Sequence, residues 1–118
     1  MGISELRSKA VEIVDEKTRQ IIARGFSFDG NQFSLSIEAQ KNFLWMYVLF
    51  LRGALLDGTS ITTMDDNAYP LRTAKMLGFF DSANNAVAFA LSSGRDLKDK
   101  IVNSNDEKFL ETFYDPRE

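Results

Sequence analysis

The side chains of this chain that could do acid-base chemistry include 17 carboxylates. Histidine and cysteine are both absent. Ser-His-Asp and Cys-His catalysis, thiolate nucleophiles, disulfides and the usual structural zinc sites therefore have no residues to work with. What remains for metal chemistry is a hard cation held by oxygen ligands. Two runs gather oxygens, Asp29-Gly30-Asn31 and Asp65-Asp66-Asn67. Neither is followed by the further acidic positions and distal glutamate that an EF-hand loop requires, and both consist of standard turn formers, so both read as turns. Two carboxylates from distant segments could meet across a cleft and cleave a glycoside, but the spacing singles out no pair. No phosphate-cradling glycine loop, Walker motif or dinucleotide fingerprint is written in the chain. The reading is of a protein that is not an enzyme, with no catalytic residue, cofactor or metal assigned.

Charge narrows the partners. The 14 basic and 17 acidic residues are mixed along the chain and leave a net charge of -3, which gives no broad positive field for phosphates. Phe26, Phe28 and Phe33 lie near Arg24 and Lys41 in sequence. They are better explained as core than as a base-stacking platform on an acidic protein. Nucleic acid is not expected as a ligand.

The residues that do point to a function lie between Phe43 and Leu51, where nine consecutive positions are apolar. On a helix such a run leaves no polar side. It is too short for the ~20 residues of a membrane span and is flanked by Lys41 and Arg52, so no membrane partner is expected. Two readings follow. The run is a central core helix wrapped on all sides by the rest of the chain, or one stripe of it faces another subunit. Lys41, Trp45, Leu49 and Arg52 fall roughly along one line at i, i+4, i+8 and i+11, and Trp and Arg are the types that dominate interface energetics. These four are the candidate partner-binding residues, with Trp45 and Leu49 expected to touch a neighbouring chain.

The elements that must position them follow from periodicity. At 118 residues the chain supports one core. Apolar residues at helical spacing from Ile3 to Ile21 predict a first helix over 3–24, stopped by Gly25. Phe26, Phe28, Phe33 and Leu35 alternate about Asp29-Gly30 and predict a hairpin with one buried face. Ser36 is placed to cap a second helix over 37–56, ended by Asp57-Gly58. A second hairpin is expected from Ser60 to Leu71, with Pro70 at an edge. Thr73 is read as the cap of a long third helix with the stripe Met76, Phe80, Ala83, Val87, Ala90, Gly94, Leu97 and Ile101, interrupted near Ser92-Ser93-Gly94. Its small residues allow close packing, on the second helix or, as a coiled coil, on another chain. Ser104 and Glu107 have the spacing of a capping box for a short last helix, and Asp115-Pro116-Arg117-Glu118 is expected to fray.

The fold expected is thus α+β and helix-dominated, in the order helix, hairpin, helix, hairpin, long helix, short helix. Residues 25–118 form the compact domain, and residues 1–24 either pack on it or project as an arm. Met1 to Arg7 carries no secretory signal, and Leu6 stands where a myristoylation motif wants Ser or Thr.

Gly25-Phe26, Asp29-Gly30, Phe33-Ser34-Leu35-Ser36, Ala39-Gln40 and Asn42 resemble the hallmark run of a domain of unknown function found in bacteriophage tail-fibre and tail-associated proteins. The likeness extends to Thr18 and Ile21, to Asp66 through Tyr69, and to Gly94, Leu97-Lys98 and Ile101, and so covers most of residues 15–113. The second helix is more apolar than the resemblance leads one to expect. Most of the matching residues are turn, strand or cap formers, so the resemblance implies a fold and a phage setting more than a mechanism. It implies a small structural or adaptor protein of the particle, in the tail or its attachment region. Such a protein would be assembled in the host cytoplasm, present in several copies or as a homo-oligomer, and bound to other tail or tail-fibre components. An assembly helper that leaves before the particle is complete is the alternative, and a small carboxylate-dependent glycan hydrolase stands further off.

Overall fold

A computed structural model describes residues 2–118 of the chain. Among them the elements run α1 (Ile3–Ala23), β1 (Phe26–Phe28), β2 (Asn31–Phe33), α2 (Ile37–Leu51), β3 (Thr59–Thr62), β4 (Ala68–Leu71), α3 (Thr73–Val102) and α4 (Glu107–Glu111). This is the helix-dominated α+β order that periodicity predicts. The chain divides into two compact units, one made of Ile22–Val87 and the other of the chain up to Ile21 together with Ala88–Glu118.

The Ile22–Val87 unit is organised around rings. Gly25 takes φ 75°, and a Cβ there would lie 1.9 Å from the carbonyl oxygen of Phe33. Only glycine lets α1 end so close to β2. Asp29 and Gly30 both have positive φ, as a tight two-residue hairpin turn requires, and this sets Phe26 opposite Phe33. In the second hairpin Ile61 pairs with Tyr69 and Thr59 with Leu71, so Ile61, Tyr69 and Leu71 are buried together while Pro70 stays exposed. Phe79, fully buried and outside the stripe read from the sequence, is the hub. Its ring centroid lies 5.1–5.4 Å from those of Phe26, Phe28, Phe33 and Phe43, in edge-on geometry. Such pairs add about 0.5–1.5 kcal/mol each beyond the area they bury.

The other unit has its own small core. Leu6, Ala10 and Val14 of α1 are buried with Ile101 of α3 and Leu110 of α4. The apolar stripe of α1 is thus covered by α3 and α4, as a helix with one such stripe at 3.6-residue spacing requires. The frayed tail is corrected. The Arg117 guanidinium donates to Asp115, to the carbonyls of Val14 and Ala90, and to the hydroxyls of Thr18 and Ser93, at 2.7–3.1 Å. A planar five-donor group satisfied on all sides offsets the entropy of ordering these residues.

Four local expectations are also corrected. Helix α2 stops at Leu51 because Gly53 adopts φ 68°. The Gly53 and Ala54 amides turn back onto the carbonyls of Phe50 and Leu49, which is the Schellman pattern. Thr73 opens α3 without capping it, since its own amide and hydroxyl donate to Asp57 Oδ1 across the preceding hairpin. Helix α3 runs unbroken through Ser92-Ser93-Gly94, with both serine hydroxyls bonded back to the Phe89 carbonyl. The cap of α4 is Asp106, which accepts from the Phe109 amide, while Ser104 serves one step earlier by accepting from Asp106.

Candidate partner-binding surface

The run from Phe43 to Leu51 is helical, but it is not a central core helix. No residue of α2 is fully buried. Phe43, Met46, Tyr47 and Phe50, at i, i+3, i+4 and i+7, pack on the ring core. That one face is all that two short hairpins and the first half of α3 can cover. Helical geometry turns the intervening residues to the far side, and there Ile37 is 68%, Leu44 65%, Trp45 64% and Leu51 65% exposed. An amphipathic surface helix carries polar residues on its outer side. Here the outer side carries these four large apolar residues among Glu38, Lys41, Asn42 and Arg52, which are also exposed.

Of the four residues singled out from the sequence, Lys41, Trp45 and Arg52 are exposed and Leu49 is half-buried. The chain folds back after it at Ala54, whose amide donates to the Leu49 carbonyl at 2.8 Å. The line therefore lies on one outer face, but its weight shifts from Leu49 to Leu44 and Leu51. Sequence reasoning passed over Ile37, Leu44 and Leu51. Their signal is the seven-residue spacing, which a run of apolar residues with no polar contrast conceals. The side chains of Glu38, Lys41 and Arg52 form no ion pair among the described residues. Beside this face a cavity of about 330 Å³ opens between α2 and α3, lined by Leu35, Phe43, Leu44, Tyr47, Phe80 and Val87 with Asp81 and Asn84.

Three carboxylates, those of Asp29, Asp57 and Asp115, have structural tasks. Asp29 Oδ2 accepts from Lys75 Nζ at 2.7 Å and from the Tyr69 hydroxyl at 2.9 Å. These two bonds hold its carboxyl below the usual range, Lys75 contributing most. Asp57 is held low chiefly by the Thr73 amide. Burial pushes Asp115 up, but its bonds from Arg117 outweigh that and keep it low. Asp66 sits at φ 61° in the β3–β4 turn and donates its amide to Thr63, as a turn residue does. No three acidic side chains converge on one point, and no helix is long and apolar enough to cross a membrane, among the described residues. The stripe of α3 is buried or half-buried within the chain. Gly94 packs on Thr18 of α1 and on Arg117, not on α2 as the small residues were expected to do.

Comparison of the chain with protein-family models, with curated proteins and with solved structures returns no match.

Proposed function

We propose that this protein is a small structural or adaptor component of a bacteriophage particle, in the tail or its attachment region, that works by binding other chains and not by catalysis. The single observation behind the binding half of this reading is the outer face of α2. Leu44, Trp45 and Leu51 stand about two-thirds exposed on a helix whose other side is already packed. Large apolar side chains clustered on an exposed helix face and rimmed by polar residues mark an interaction site in a folded protein. Copies of the chain or its neighbours in the particle cover that face, and Lys41 and Arg52 supply polar ends to an apolar middle. The phage half rests on the resemblance of residues 15–113 to tail-fibre and tail-associated domains.

Mass spectrometry of purified particles of the virus that encodes the chain tests the reading. A stoichiometric copy number is expected for the wild-type chain, with Trp45→Glu excluded from the particle. A chain expressed during infection yet missing from the particle overturns the structural role in favour of an assembly helper.

A further inference from the structure

We infer that the occupant of the outer face of α2 is a second copy of this chain, lying antiparallel to the first with Trp45 near the two-fold axis. The inference rests on the reading of that face as a binding surface, and it names the partner. Ile37, Leu44 and Leu51 recur every seven residues and are all about two-thirds exposed, with Trp45 beside them. A seven-residue apolar repeat keeps one stripe of a helix on a single side, along which a second helix can lie.

The charges on that face are complementary to themselves. Glu38 and Arg52 stand seven residues either side of Trp45, both exposed and neither in an ion pair among the described residues. A two-fold axis at Trp45 carries Glu38 towards Arg52 of the partner subunit and, by symmetry, repeats the pair at the other end. Parallel pairing would set like charge against like at Glu38, Lys41 and Arg52. The antiparallel arrangement also opposes the two helix dipoles. Lys41 lies closer to the axis, where its stem can run along apolar surface with the ammonium in water.

Glu38 and Arg52 have a second effect, since an acid in the first turn and a base at the last cap each favour their own helix. Charge swapping separates the two effects. Sedimentation velocity of the full chain from micromolar to millimolar concentration should show a monomer–dimer equilibrium. Trp45→Glu should leave only monomer. Glu38→Arg and Arg52→Glu should each weaken the dimer by roughly tenfold or more, and the double variant should return to within about threefold of wild type. The double variant is the least favourable for its own helix dipole, so recovered association reports pairing across the two-fold. Circular dichroism at monomeric concentration checks that each variant is folded. A dimer indifferent to the single reversals, or a folded double variant that does not recover, overturns the arrangement. A wild-type chain that stays monomeric while Trp45→Glu is excluded from particles overturns self-pairing alone. If Trp45→Glu changes neither association nor incorporation, the binding reading falls with it.

Discussion

At the scale of single residues, Asp29 and Tyr69 show how a side chain readable as a cation ligand or a strand filler is put to another use. The two lie forty positions apart, so no local pattern links them, and only the meeting of the two hairpins brings the phenol to the carboxylate. Burial first, and then donation to Asp29, pushes the Tyr69 phenol up to about 12 from an ordinary 10.0. A raised phenol favours the protonated, folded form. Its contribution is fully present below about pH 10 and is lost as pH climbs towards 12. Asp29, held low, works in the opposite sense, with stability present above its unfolded value and lost as pH falls through the folded one. The expected outcome for Tyr69→Phe is a lower stability at neutral pH and a flatter decline between pH 10 and 12 than in the wild type. Denaturant unfolding of both chains across that range checks it.

At the scale of elements, α3 was legible as a stripe but not as a neighbour. Met76, Phe80, Ala83, Ala90 and Ile101 are buried as their period requires. The break expected at Ser92-Ser93-Gly94 is missing because helix propensity is a weak prior, and both serines satisfy themselves on the Phe89 carbonyl. Gly94 is small for a contact that no spacing announces. A Cβ there would stand 2.7 Å from Thr18 Oγ1 and 3.2 Å from Arg117 Nη1. In an open helix Gly94→Ala would gain about 1 kcal/mol. Here crowding of the order of 1–3 kcal/mol opposes it, and the Arg117 contacts are disturbed as well. Thermal unfolding should therefore show Gly94→Ala to be destabilising by about 1 kcal/mol, with the loss reduced when Thr18→Ala removes the colliding hydroxyl. An additive pair of effects would mean that Thr18 is not the obstacle.

At the scale of the whole molecule, the question is where the core ends and the surface begins. The sequence suggests that α2 is covered all round, yet the rings about Phe79 are complete with only one face of α2 against them. The outer residues should then contribute nothing to the fold. Replacing Trp45 and Leu51 together by Ser is expected to change the unfolding free energy by no more than about 0.5 kcal/mol per site. Phe79→Ala, in contrast, should cost about 3–5 kcal/mol. Melting curves taken at monomeric concentration decide the matter. A large loss from the Trp45/Leu51 pair would mean that this face belongs to the chain's own core.

What the sequence determined by itself was local. Period-2 and period-3.6 patterns, Asp-Gly turns, Gly25 and the Ser36 cap act over a few residues, and they fixed the order of elements and the stripe of α3. The absence of His and Cys closed the familiar catalytic routes whatever the fold. Only tertiary structure decided which face of α2 is covered, because nine apolar residues in a row carry no contrast from which to tell inside from outside. It also decided that Asp57 serves Thr73 and that Arg117 is enclosed by Val14, Thr18, Ala90 and Ser93. A polar side chain takes whatever donor or acceptor packing brings within 3 Å of it, and that partner is not written in its neighbours along the chain.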